Sequence, residues 1–184
     1  YVNKADFVAC HNPSYVTRYD MTGAAKEGGV FLLNSPWNTI EELDANLPAS
    51  MKNDIAKKHL RFYNVDAISV ARSVGMGGRI NTVMQACFFN VAGIIPAAQA
   101  IDYMKQYAKK SYGKKGDAVV KKNYDAIDAA VGSLVEIKYP ESWAGTTEGA
   151  LPERVEATEY YENVVAPILG QRGDDLPVST FIGH

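Results

Sequence analysis

Eight residues, Gly75-Met76-Gly77-Gly78-Arg79-Ile80-Asn81-Thr82, bring together three glycines, one guanidinium and the start of a helical pattern. Glycine lets a backbone approach a ligand closely and adopt positive φ. The first turn of a helix offers unpaired N–H groups and a partial positive charge, which suits phosphate. Arg79 would add a planar fork of donors for the same anion. The plainer reading of the spacing is a helix C-cap followed by the next N-cap, with Arg79 in solvent. Asn81 could cap its helix or touch a ligand, and capping is the expected role. Neither familiar nucleotide pattern fits. A Rossmann fingerprint needs glycine at position 80, which is Ile80, and a P-loop needs Lys-Ser/Thr after its last glycine.

Other reactive side chains form no site. His11 ends an apolar run, but no Ser or Cys nucleophile accompanies it and the Gly-x-Ser-x-Gly elbow is absent. It reads as a hydrogen-bonded strand-end histidine. His59 lies beside Lys57 and Lys58 and reads as solvated, as do Asp174 and Asp175 in their glycine-containing turn. Three scattered histidines and two cysteines, Cys10 and Cys87, make no metal-ligand spacing. Both cysteines sit in apolar company and are expected to be buried free thiols.

The elements that must position the glycine turn follow from hydrophobic periodicity. Asp6 to His11, Val30 to Leu33 and Leu60 to Val65 are short apolar runs, expected as strands. Between them, Ser14 is expected to cap a helix from Tyr15 to Ala25, closed by Gly28-Gly29. Thr39 opens a helix through Asn46, and Pro48 opens another to about Lys58. Continuous apolar strands alternating with helices predict a parallel sheet covered on both faces. Asp66 caps a helix to Val74. After the glycine turn, helices are expected from about Val83 to Val91, from Pro96 to Lys110, and across Val120, Tyr124, Ile127, Val131 and Leu134. Lys121 and Lys122 read as the solvated face of that last helix. From Tyr139 the periodicity dissolves, with a helix conceivable only across Val155 to Val165. The fold class is therefore α/β: three layers with a partly parallel sheet, followed by a helical segment and an extended carboxy-terminal tail, residues 1–138 forming the α/β domain. Residues 139–184 read as an interdomain segment, too rich in Trp143, Tyr160, Tyr161, Val164 and Ile168 for a disordered linker.

The chain has 184 residues, 47% hydrophobic, with a formal net charge of −2. Near-balanced charge without a basic face argues against a nucleic-acid partner. No apolar run reaches the ~18 residues of a membrane helix. A chain that starts at Tyr1 and ends at His184 reads as a piece of a longer, cytoplasmic polypeptide.

Several stretches resemble one family. Val2 to His11 with Pro13-Ser14, Lys26 to Trp37, Gly75 to Thr82 running into Met84-Gln85-Ala86-Cys87-Phe88-Phe89, Pro140 to Trp143, and Gly173 to Ser179 are similar to segments of pyruvate:ferredoxin (flavodoxin) oxidoreductases. They match the third, gamma-like domain in order over nearly the whole chain. The resemblance implies an enzyme of anaerobic metabolism. It decarboxylates pyruvate on thiamine diphosphate with Mg2+, passes electrons through 4Fe-4S clusters to ferredoxin or flavodoxin, and forms acetyl-CoA. It further implies a homodimer, thiamine diphosphate and clusters on other domains, and coenzyme A association for this domain. The domain alone is then expected to be catalytically silent. The implied coenzyme A contacts are Gly75, Met76, Gly77, Gly78, Arg79 and Asn81, with Ser14 and Asn34 added from loops at strand carboxyl ends. The family's opening Gly-x-Gly-x-Asp-Gly-Thr-like loop has no counterpart in these residues. The alternative is a scaffold that braces neighbouring domains without ligand contacts. Another 2-oxoacid, or NADP as acceptor, would be chosen outside this domain.

Overall fold

The structure, a computed structural model, describes residues 2, 4–146 and 158–182. Three parallel strands, β1 (Ala5–Cys10), β2 (Ala25–Asn34) and β3 (Arg61–Val65), lie side by side in chain order. A two-residue strand, β4 (Val135–Glu136), adds antiparallel to β3 through Tyr63 and Asn64. Two residues leave no periodicity to read, so β4 is invisible in the sequence.

The pleat sends alternate side chains of β2 to opposite layers. Phe31 and Leu33 join Leu43 of α1 (Ile40–Asn46), Met51 and Ile55 of α2 (Ala49–Lys57), Phe62 and Trp143 in one core. Leu32 faces the other core. There it meets Val70 of α3 (Ala67–Ser73), Val83, Met84 and Cys87 of α4 (Asn81–Val91), Met104 of α5 (Ala97–Tyr112), and Ala126, Ile127 and Ala130 of α6 (Asp117–Ser133). Both faces are thus covered, which is why the strands are continuously apolar. α1 begins with a full capping box. The Thr39 hydroxyl accepts from the Glu42 N–H, and the Glu42 carboxylate accepts from the Thr39 N–H.

The expected helix over Tyr15 to Ala25 does not form. Only a single 3-10 turn, Pro13–Tyr15, is present, and Asn12 caps it in place of Ser14 by accepting from the Ser14 N–H. The Asp20 carboxylate then takes the N–H groups of Thr22 and Gly23, an Asx-type competitor that ends helical bonding. β2 consequently starts five residues early, and Gly28 and Gly29 lie inside it. Gly28 adopts φ +69°, and the pairing with β1 shifts register between Ala5/Ala25 and Phe7/Val30. The pair makes a bulge, not a helix stop.

Part of the carboxy-terminal segment returns to the domain. The 3-10 turn Glu141–Gly145 packs on α2, and Trp143 is 2% exposed. Its ring stacks on Tyr139 at 5.7 Å between centroids, and its indole N–H donates to Asp44 at 2.8 Å. Further on, a helical stretch runs through Tyr161–Val165 into α7 (Ala166–Leu169). The conceivable helix from Val155 lies partly outside the described residues. Both cysteines are buried free thiols, as expected, and burial pushes the Cys87 thiol up to about 12.

The candidate functional site

The glycine turn joins α3 to α4, and its two halves differ in kind. Gly75 (φ +72°) closes α3: its N–H donates to Arg72 C=O at 3.0 Å and the next N–H, of Met76, to Ala71 C=O at 2.8 Å. That is a Schellman cap, completed by the buried Met76 side chain. The first half therefore follows the plainer reading of the sequence.

The second half does not. Gly77 takes φ +64° with nothing within 4 Å of where a Cβ would stand, and Gly78 is equally open. Neither their N–H groups nor that of Ile80 donates to a backbone carbonyl among the described residues. Asn81 is not the cap of α4. Ile80 occupies the N-cap position and provides no side-chain hydrogen bond, while Asn81 is the first helical residue and is exposed. A capping Asn must stand one residue earlier, in extended backbone, and Ile80 has φ −87° and ψ −6°. The first N–H groups of α4 therefore remain without a side-chain cap.

Arg79 is exposed and held at its base, where its own N–H and its Nε–H both donate to the Met76 carbonyl, at 3.3 and 3.1 Å. Among the described residues no carboxylate pairs with it. The terminal guanidinium nitrogens are left to project from an anchored stem. A second cation escaped the sequence reading. Lys121 is solvated and paired with Asp125 at 2.7 Å, but Lys122 reaches the turn. Its Cε and Nζ lie 3.5 Å from the position a Cβ on Gly75 would occupy. Only the tertiary packing of α3 against α6 brings these residues together, and no local sequence signal announces it.

The strand-end residues serve as supports. Asn34, 1% exposed, donates from Nδ2 to the His11 carbonyl at 2.8 Å and accepts the Ala67 N–H at 3.0 Å. It ties the ends of β1 and β2 to the start of α3. Ser14 is exposed in its 3-10 turn. His11 does not meet a nucleophile; it lines a cleft of about 380 Å3 between the end of β1 and α4, with Asn81, Met84 and Gln85. On another face of α4, Thr82 and Gln85 line a second cavity of about 360 Å3 against α5 and α6. Cavities thus open on two sides of the first turns of α4, next to an exposed, cationic glycine turn. Among the described residues, no group of three or more His, Cys, Asp or Glu is placed to hold a metal ion. None of the described helices is long and apolar enough to cross a membrane.

A mainly parallel sheet with helices packed on both faces is an α/β architecture. Residues 1–133 match the family model described as pyruvate ferredoxin/flavodoxin oxidoreductase, and the chain belongs to that family. It is 49% identical over 180 residues to the pyruvate:ferredoxin oxidoreductase of Moorella thermoacetica, covering 98% of this chain and 15% of that protein. Identity to the pyruvate-flavodoxin oxidoreductase of Klebsiella pneumoniae is 41% over 182 residues, covering 99% and 16%. The mitochondrial pyruvate dehydrogenase (NADP(+)) of Euglena gracilis is 40% identical over 180 residues, covering 97% and 10%. The chain therefore spans about one sixth or less of the length of these relatives. Its fold resembles the crystal structure of pyruvate oxidoreductase subunit PORC from Thermotoga maritima, with a TM-score of 0.57 at 18% identity, covering 73% of this chain and 66% of that one.

Proposed function

We propose that this chain is the coenzyme A-associated domain of a cytoplasmic pyruvate:ferredoxin or flavodoxin oxidoreductase, and that the Gly75–Thr82 turn holds phosphate groups of that cosubstrate. The observation that carries the reading is the second half of the turn. The N–H groups of Gly77, Gly78 and Ile80 donate to no backbone carbonyl among the described residues, α4 has no side-chain cap, Arg79 has no carboxylate partner among those residues, and the Lys122 amine stands against Gly75. Phosphate is the kind of group that such N–H donors and cations bind. Gly75 and Met76 fix the turn, Asn34 ties the strand ends to the start of α3, Asn81 is the exposed first residue of α4, and Ser14 is exposed in its 3-10 turn.

The domain by itself is inactive in this proposal. Oxidative decarboxylation of pyruvate, the thiamine diphosphate with its Mg2+, and the 4Fe-4S clusters belong to other domains of a homodimeric enzyme, which delivers electrons to ferredoxin or flavodoxin. Among the described residues no group of three or more His, Cys, Asp or Glu is placed to hold a metal ion. The segment from residue 139 connects to those domains. Ile168, Leu169, Val178 and Phe181 are all more than 45% exposed, the kind of apolar surface a neighbouring domain covers. That exposed face is also what favours the second reading, a purely architectural domain.

Arg79→Ala in the complete enzyme separates the two. A charge-assisted contact to phosphate contributes about 1.5–3 kcal/mol. The coenzyme A concentration for half-maximal turnover should rise about tenfold or more, while pyruvate decarboxylation without coenzyme A stays at its unsubstituted rate. An unchanged coenzyme A dependence would leave only the architectural reading.

A further inference from the structure

The near balance of total charge hides a local excess. Residues 105–122, which run from the last turns of α5 through the 3-10 turn Gly113–Lys115 into α6, carry seven lysines and one acidic residue, Asp117. That is +6 in a chain whose total is −2, so the remaining residues carry −8. Lys105 is paired with Asp128 at 2.6 Å and Lys121 with Asp125 at 2.7 Å. Lys109, Lys110, Lys114 and Lys115 are exposed and have no carboxylate partner among the described residues. Two aromatic rings stand beside them. α5 buries Ala100, Met104 and Ala108, while Tyr103, Tyr107 and Lys110 follow one another at four and three residues on its outer side. Tyr103 is 46% and Tyr107 67% exposed.

Exposed tyrosines next to a row of lysines have the anatomy of a protein-binding surface, with aromatic anchors inside a polar rim. We propose that the outer face of α5 and the turn after it dock an acidic segment of another protein. Its carboxylates meet Lys109, Lys110, Lys114 and Lys115, and an aromatic or apolar side chain lies on Tyr103 and Tyr107. The extent of the patch selects this partner over larger polyanions. From Tyr103 to Tyr112 the helix rises only about 14 Å, which suits a short segment. A nucleic-acid strand or an anionic bilayer reaches beyond that length by more than the Debye length of about 8 Å, and there it meets the acidic remainder of the chain. A bilayer also requires apolar side chains that enter its boundary, and residues 105–117 contain no Leu, Ile, Phe or Trp. Lysine is strongly hydrated and is depleted from the cores of stable interfaces. Four unpaired lysines therefore suit a partner that is steered in and released, in contrast to a permanently packed domain.

Fluorescence anisotropy with the complete enzyme tests this. The probe is a labelled peptide of Glu and Asp around one central Phe. One control replaces the Phe by Gly, and another replaces every carboxylate by its amide. The Phe peptide should bind, and the amide peptide should bind about tenfold more weakly or worse. An enzyme combining Lys109→Glu, Lys110→Glu, Lys114→Glu and Lys115→Glu should lose the Phe peptide. Its coenzyme A requirement should stay unchanged, because none of the four lies in the Gly75–Thr82 turn. Tyr107→Ala should reduce the Phe peptide to the affinity of the Gly peptide. Absence of Phe-peptide binding, or equal binding by the unsubstituted and charge-reversed enzymes, overturns the proposal. Tighter lysine-dependent binding of phosphatidylserine vesicles or of a single-stranded oligonucleotide overturns it as well, by making the patch a bilayer or nucleic-acid surface. A raised coenzyme A requirement in the charge-reversed enzyme would assign the lysines to the cosubstrate instead. The peptide measurement needs no coenzyme A, so its failure leaves the phosphate-site reading standing.

Discussion

Replacing Arg79 and Lys122 together by alanine should raise the coenzyme A requirement of the complete enzyme by about a hundredfold. The two cations come from different elements, the turn before α4 and the exposed side of α6, and neither has a carboxylate partner among the described residues. Exposure places each contact at the low end for a charge-assisted bond, about 1.5 kcal/mol. Two such contacts make about 3 kcal/mol, and 1.4 kcal/mol is a factor of ten in affinity. Each single substitution should account for about half of the loss in free energy, because one phosphate group can be met from both sides. Steady-state titrations of coenzyme A for the singles and the double give the comparison. A Lys122→Ala enzyme indistinguishable from the unsubstituted one would remove Lys122 from the site.

Trp143→Ala carries the largest expected cost to stability. The indole is 2% exposed, stacks on Tyr139, and donates to an Asp44 carboxylate that also holds Lys52. Truncating a buried aromatic of this size costs about 3–5 kcal/mol. In a chain of this length each kcal/mol moves the melting temperature by roughly 2–4 °C, so a fall of about 10 °C is expected. Trp143→Phe keeps most of the packing and loses the N–H, for about 1 kcal/mol. Thermal denaturation of the 184-residue chain followed by circular dichroism reads both. If Trp143→Ala melted with the unsubstituted chain, the indole would belong against a neighbouring domain and not against α1 and α2.

The same residue marks the division between what the sequence carried and what it did not. Local signals were reliable where the structure is made of local bonds. Thr39 at the start of α1, the Asp66 cap of α3, whose carboxylate accepts the Ser69 N–H, and the steps from Val120 to Ile127 are all where the pattern puts them. Gly75 as a C-cap was also legible, since a helix end followed by positive φ is glycine's common use. Errors arose where a side chain competes with the backbone or where distant residues meet. Asp20 captured two N–H groups and ended a helix that residues 15–25 could otherwise support. Trp143 lies 99 residues from its acceptor on Asp44, and Lys122 lies 47 residues from Gly75. Neither separation leaves a periodic trace. The Gly75–Thr82 turn was visible as a candidate through its composition, but its second cation and its flanking cavities exist only in the packed domain.

Amide hydrogen exchange of the complete enzyme, with and without coenzyme A, tests the phosphate site most directly, because the proposed ligands are the exchanging groups themselves. Addition of coenzyme A should slow exchange at Gly77, Gly78, Ile80 and the first turn of α4, and Arg79→Ala should abolish most of that protection. Saturating coenzyme A with exchange unchanged across residues 75–84 would contradict the account.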